Sequence, residues 1–189
     1  ISTFLDLRLN NGDERLRAHD VFTGVCIPDL FMEAVDNRDE WHLFDPHEVR
    51  SVKGWSLEDS YDEEEGRGTF RDKYFELVND PNIHSTTVPA IDIMKRIMKS
   101  QLETGVPFMF YRDEVNRMNP NKHEGMIYSS NLCTEIMQNM TATRVVSEEL
   151  DGDIIVTKKK AGDFVVCNLS SINLPRAVSN NVLNRLVPI

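Results

Sequence analysis

The sequence predicts an α/β domain, and three observations carry that expectation. Short runs rich in β-branched and aromatic residues, such as VFTGVCI and VPFMF, alternate with stretches whose apolar residues recur at helical spacing. Asn, Asp, Gly and Pro punctuate the boundaries between them. No internal repeat or low-complexity linker divides the 189 residues, so a single unit large enough to bury a core is expected.

Taken in order, the first nine residues read as a helix with Phe4, Leu5 and Leu9 on one stripe, and NNGDER ends it with turn residues. VFTGVCIPDL reads as a buried strand running into Pro28, where a helix can begin with Asp29 in its first turn. Cys26, inside that strand, reads as a small buried hydrophobe. A short strand from Trp41 to Phe44 is closed by a turn at Asp45-Pro46. His42, His47 and Glu48 lie close by, but no further residue of suitable spacing completes a metal shell.

RGTFRDKYFELVND is a helix candidate, and VPAIDIMKRIMKSQLETG a stronger one. The latter has Pro89 at its start, Gly105 at its end, and an apolar face of Ile91, Ile93, Met94, Ile97, Met98 and Leu102, with the methionines as core filler. Residues 106 to 110 form a strand, followed by a polar connection rich in Asn and Pro. Two more apolar runs follow, Ile154 to Thr157 and Phe164 to Cys167, and the last 15 residues again look helical.

The net charge of −10, from 31 acidic and 21 basic residues, argues against a nucleic-acid backbone as partner while leaving free nucleotides open. Acidity concentrates in SLEDSYDEEEG, residues 56 to 66, which reads as a solvated loop. Cys26, Cys133 and Cys167 are odd in number and show no C-x-x-C spacing, which indicates neither a disulfide framework nor a zinc site and fits a reducing, cytoplasmic compartment. No apolar run approaches the roughly 20 residues that span a bilayer, and no signal peptide opens the chain, so no membrane partner is expected. Asn139 and Asn168 match the glycosylation sequon by residue type only. The ends fall inside apolar patterns, so the chain reads as an internal fragment, residues 1–189, with no separate domains.

The chemistry concentrates in SSNLCTEIMQ, residues 129 to 138. Asn131, Cys133 and Glu135 stand at even spacing, which converges on one side only in an extended backbone, and the flanking IYSS favours extension over helix. A thiol beside a carboxylate supports two chemistries. A thiolate nucleophile usually needs a cation or histidine to lower its pKa, and the nearest histidine in sequence is His123. One-electron chemistry instead uses the thiol as a hydrogen-atom donor and acceptor, with the carboxylate taking a proton from the substrate. The arrangement leans toward the second.

SNLCTEI at residues 130 to 136, followed 34 positions after Cys133 by Cys167 in VVCNLSSINL, resembles the large catalytic subunit of class I, aerobic ribonucleotide reductase. ISTFLDLRLNNGDERLR, VCIPDLFMEAV, WHLFDPHEV and TGVPFMFYRDEVNRMNP are similar to that family's connecting segments in the same order, so the likeness covers essentially the whole chain. The resemblance implies part of a ten-stranded α/β barrel with Cys133 on a central finger loop. Cys133 would carry a transient thiyl radical and take the 3′ hydrogen of a ribonucleoside diphosphate, which the enzyme converts to the deoxyribonucleotide used for DNA synthesis. Glu135 would accept the 3′-hydroxyl proton, Asn131 would hydrogen-bond the ribose hydroxyls, and Cys167 would be one of two cysteines oxidised to a disulfide.

The same resemblance implies a separate metal-containing small subunit that generates the radical, a thioredoxin- or glutaredoxin-like dithiol reductant, the rest of a homodimer-forming large subunit, and dNTP or ATP effectors bound outside this segment. No cofactor is expected in this chain. The disulfide partner of Cys167 would lie upstream, since Cys26 does not fall in the matching context. The specificity loops, phosphate-holding segment, relay tyrosines and C-terminal cysteine pair of the family have no match here, and the chain alone is expected to be inactive. Two readings compete: a different thiyl or glycyl radical enzyme, against which stand the flanking Asn131 and Glu135 and the second cysteine motif, and an inactive fragment serving as an interaction module.

Overall fold

The structure is a computed structural model that describes residues 1–10, 13–179, 182 and 185. Seven α-helices and six strands alternate along these residues: α1 (Ser2–Asp6), β1 (Gly24–Ile27), α2 (Asp29–Asn37), β2 (Glu40–Phe44), α3 (Pro46–Lys53), α4 (Thr69–Val78), β3 (Ser85–Pro89), α5 (Ala90–Thr104), β4 (Phe108–Tyr111), α6 (Arg112–Arg117), β5 (Arg144–Asp151), β6 (Ile154–Lys160) and α7 (Leu174–Ser179). The α/β class follows directly. The described strands form three two-stranded sheets, and no closed barrel is present among them. β1 pairs in parallel with β4, the pairing that needs a long crossover, whereas β2 with β3 and β5 with β6 are antiparallel.

The core forms where α5 lies against α1 and α2 over the inner side of β1. Leu5, Val25, Ile27, Phe31, Ala34, Ala90, Ile93, Met94 and Ile97 make one buried cluster. Each fully buried aliphatic side chain there contributes roughly 1.5–3 kcal/mol. The apolar face of α5 is narrower than its sequence indicates. Ala90, Ile93, Met94, Ile97 and Ser100 are buried, but Met98 and Leu102 are exposed. Both lie about 100° or more around the helix from the Ile97 direction, so Met98 is not core filler. A second cluster stacks Trp41 on Tyr74 at 4.4 Å between ring centroids, with Phe31 edge-on to Trp41 at 5.2 Å.

Several local features differ from the sequence reading. The Asp45-Pro46 turn begins a helix: the Asp45 carboxylate accepts from His47 N at 2.8 Å, Pro46 takes the first helical position, and Gly54 closes α3 in the left-handed region at φ 75°. Ser85–Pro89 is a strand that its exposed, polar face concealed. Phe164 to Cys167 is not a strand, and Phe164 and Val166 stand exposed. The helix expected over the last 15 residues is described only as α7, the remainder lying mostly outside the described residues.

The acidic segment is solvated as read at Glu58, Asp59, Glu63, Glu64 and Glu65, which are exposed, and departs from that reading at Asp62. Asp62 is fully buried, and Ser56 and Ser60 nearly so. The reason is the N-terminus of α4, which has no cap of its own at Gly68. Glu63 accepts from Thr69 N and Thr69 Oγ1 at 2.8 and 2.5 Å, while Asp62 accepts from Arg71 N at 2.9 Å. Two carboxylates thereby satisfy amides that the first helical turn leaves without partners. Gly68 must be glycine for this, because its φ is 157° and a methyl group would overlap the backbone of Asp62 and Glu63.

The expected polar connection after β4 is helix α6, and its buried residues are polar. Asp113 is fully buried and accepts from Asp29 N at 2.5 Å and Asp62 N at 2.7 Å, joining α6 to the start of α2 and to the acidic segment. One turn on, Arg117 reaches Asp29 at 2.7 Å and the carbonyl of Asp62 at 3.2 Å. Burial raises the carboxyl pKa of both Asp62 and Asp113 above the ordinary range, outweighing the amide donors that pull the other way.

Beyond residue 140 the chain forms a hairpin whose base is closed by side chains. Thr141 Oγ1 donates to Asp163 at 2.7 Å and accepts from Asp163 N at 3.1 Å, and Gly162 N donates to Thr143 Oγ1 at 3.1 Å. A methyl group on Gly162 would overlap the Thr141 carbonyl, so the crossing at the base requires glycine.

Asp113→Ala is expected to cost about 2–4 kcal/mol of stability, because two buried amides lose their acceptor, read as a lowered denaturation midpoint of the protein carrying this segment. The raised carboxyls set a sign for pH. In the window above the unfolded value of about 3.9, the folded chain keeps protons that the unfolded chain has lost, so their contribution to stability falls as pH rises. Asp113→Asn should flatten that slope in unfolding measured from pH 4 to 7; an unchanged slope would show that Asp113 does not carry it.

Candidate active site

The loop bearing Cys133 leaves the core at Ile127, which is buried, and returns near Asn139. Residues 131 to 134 make a turn, with Thr134 N donating to the Asn131 carbonyl at 3.2 Å. Thr134 sits in the left-handed region at φ 60°, a conformation that costs a β-branched residue of order 1 kcal/mol or more. Asn131 compensates. Its Oδ1 accepts from Glu135 N and Ile136 N, both at 3.1 Å, while Ser130 Oγ donates to the Ile136 carbonyl at 2.7 Å.

The segment is therefore non-helical, as its even spacing suggested, but turned rather than extended. Cys133 and Glu135 are both exposed. Two cavities flank the loop, and neither lining includes them. The first, about 330 Å³, is bordered on one side by Ser129, Ser130, Asn131, Leu132 and Thr134 and on the other by Gly24, Val25 and Cys26 of β1. The second, about 220 Å³, brings Asn131 and Ser130 together with Cys167. Of the four residues singled out in the sequence, Asn131 and Cys167 thus meet at one cavity, while Cys133 and Glu135 are exposed on the same loop and line neither cavity.

Cys26 is only half-buried and lines the first cavity, so it is not the enclosed core residue its strand suggested. Burial pushes its thiol pKa up, while Arg112 Nε, 3.4 Å from Sγ, opposes the shift. Tyr128, at the mouth of both the first cavity and a neighbouring one, donates to Asp59 at 3.2 Å; burial and the Asp59 charge raise its phenol pKa. Elsewhere Glu48 engages His84 at 2.8 Å and raises its pKa, and His42 Nδ1 lies 3.1 Å from Ser85 Oγ. Among the described residues no group of three or more His, Cys, Asp or Glu is arranged to hold a metal ion. None of the described helices is long and apolar enough to cross a membrane.

Sequence reasoning missed the residues that hold the loop at its roots. Asn116 and Ile127 exchange two hydrogen bonds, and Asn119 and Asn139 join at the other end. Their signal was present as Asp113, Asn116 and Asn119 at three-residue spacing, a polar stripe on one helical face.

Comparison with known proteins settles what kind of chain carries this loop. The family described as "Ribonucleotide reductase, barrel domain" matches residues 1–187. The chain belongs to that family. The ribonucleoside-diphosphate reductase subunit alpha of Treponema pallidum is 51% identical over 180 residues, covering 92% of this chain and 21% of the relative. The protein of the same name from Helicobacter pylori is 35% identical over 226 residues, covering all of this chain and 27% of the relative. The large subunit of Arabidopsis thaliana is 35% identical over 178 residues, covering 93% of this chain and 18% of the relative. This ribonucleotide reductase barrel-domain segment thus spans roughly a fifth to a quarter of the relatives it matches.

Thiol accessibility gives a direct check on the geometry of the segment. With iodoacetamide at neutral pH, Cys133 and Cys167 should alkylate at least about tenfold faster than Cys26, whose exposure and thiolate fraction are both reduced. Timed alkylation read by peptide mass spectrometry measures this, and equal rates at all three thiols would contradict the placement of Cys26.

Proposed function

We propose that this segment supplies the radical-bearing loop of a class I ribonucleotide reductase large subunit, which reduces ribonucleoside diphosphates to deoxyribonucleoside diphosphates. The observation that carries this reading is the SNLCTEI turn, with Cys133 exposed at its tip, in a chain matched along nearly its whole length by the reductase barrel-domain family. The names of the relatives support the substrate level. The barrel itself, ten strands with this loop at its centre, would be completed by the rest of the large subunit.

In this proposal the Cys133 thiyl takes the 3′ hydrogen atom from the ribose, leaving a carbon radical and a thiol. Glu135 accepts the 3′-hydroxyl proton, which helps the adjacent 2′ hydroxyl leave as water once it has received a proton from the thiol pair. Cys167 and a second cysteine supply two electrons and, with their remaining proton, the new hydrogen on the 2′ carbon, finishing as a disulfide, and Glu135 returns its proton to the 3′ oxygen. Cys133 then returns its hydrogen atom to the 3′ carbon, regenerating the thiyl. The shared cavity of Asn131 and Cys167 supports their working on one substrate. In this proposal Asn131, whose Oδ1 accepts from the loop backbone, uses Nδ2 to donate to a ribose hydroxyl.

The proposed partners are a small subunit that holds the metal and generates the radical, a dithiol reductant that reopens the disulfide, and a second large subunit. The three free cysteines support a reducing compartment, and we assign the enzyme to the cytoplasm.

In the complete enzyme, Cys133→Ser should abolish turnover, a fall of at least about a thousandfold, with nucleotide affinity changed less than about threefold. A hydroxyl fills similar space but holds its hydrogen atom too strongly for the exchange. Glu135→Gln should also stop normal product formation, because an amide keeps the shape and cannot accept the proton. Deoxynucleotide formation measured beside equilibrium nucleotide binding tests both, and normal product from either variant would remove its residue from the mechanism.

A further inference from the structure

The loop is held at both roots by asparagine side chains that reach the backbone. At its departure, Asn116 Nδ2 donates to the Ile127 carbonyl at 3.1 Å and Asn116 Oδ1 accepts from Ile127 N at 2.7 Å. The same Nδ2 also donates to the Arg112 carbonyl at 2.9 Å, so the side chain is locked to its own helix. Asn116 and Ile127 are each 1% exposed. At the return, Asn119 Nδ2 donates to Asn139 Oδ1 at 3.1 Å, and Asn139 Nδ2 donates to the Gly125 carbonyl at 2.6 Å.

A reciprocal pair of bonds does more than attach a residue. It mimics one rung of a β-ladder and so fixes the direction in which the chain leaves Ile127, six residues before the thiol. A small angular error at that root becomes a large displacement at Cys133, and hydrogen-atom transfer tolerates little displacement. The bonded groups are buried, so the clamp does not exchange freely with water. Asp113, three residues earlier on the same buried face, anchors the same helix, which makes α6 a fixed reference for the loop.

We infer that Asn116 is a positioning residue for the Cys133 loop, acting through the backbone of Ile127, with Asn139 performing the same task at the other root. This rests on the radical reading of Cys133 and adds to it two residues that touch neither substrate nor thiol.

The test uses the complete large subunit that carries this segment, with its radical-generating partner. Asn116→Ala and Asn139→Ala are each expected to lower kcat at least about tenfold while the KM for ribonucleoside diphosphate changes less than about twofold. Backbone amide exchange from Ile127 to Ile136 should rise several-fold in both, with exchange in α5 unchanged. Should Asn116→Ala fail to fold, Asn139→Ala decides, because that side chain lies at the half-exposed return of the loop. Wild-type kcat in the folded variants, or a loss confined to KM, would overturn the inference. Full turnover by Cys133→Ser would instead overturn the radical reading, and the exchange rates alone would then decide whether these asparagines position the loop.

Discussion

The Asp113 carboxylate is the contact on which the neighbourhood of the loop depends. It gives acceptors to two amides, Asp29 N at the head of α2 and Asp62 N in the acidic segment, that would otherwise be buried without partners. Three stretches distant in sequence meet on one side chain. Arg117, from the same helix, neutralises part of the charge gathered there by reaching Asp29 and the Asp62 carbonyl. Because α6 is held so firmly by this contact, Asn116, next along the same face, can act as a bracket for the chain that leads to Cys133.

The loop itself shows a division of labour within single residues. Asn131 has an amide that could face a substrate with both its oxygen and its nitrogen, yet the oxygen is occupied by two backbone donors from the loop. That occupation is what makes the left-handed Thr134 tolerable. Any replacement that removed the oxygen would therefore disturb the support of the turn that carries Cys133.

The alternation of strands and helices was legible because apolar periodicity and the Pro and Gly boundaries agreed, as at Pro28, Pro89 and Gly105. The family was legible from the thiol motif together with the connecting segments in their order. What escaped were elements whose buried side is polar: α6 turns Asp113 and Asn116 inward, and the acidic segment buries Asp62 to serve α4. Patterns of hydrophobicity cannot register such burial, since its energy comes from satisfying particular amides. β3 escaped for the converse reason, its side chains being mostly exposed while its backbone pairs along the whole of β2. The turn at Thr134 could not be read from even spacing, because one residue in the left-handed region reverses the alternation on which that reading relied.

The hairpin of β5 and β6 has a bearing on how the two cysteines of the candidate site are tethered. Counted along the chain, Cys167 lies 34 residues beyond Cys133, a separation that would let an unstructured polymer wander widely. The clasp between Thr141 and Asp163 short-circuits most of that length. Only the arms outside the clasp remain to set the distance between the sulfurs, and the hairpin beyond it behaves as a closed side branch. The contour of that branch can lengthen or shorten by whole residue pairs without altering the leash between the thiols. The spacing of these two cysteines in sequence is therefore a poor ruler of their spacing in the fold, and Gly162, which lets the clasp close, governs it more strongly than the number of residues between them.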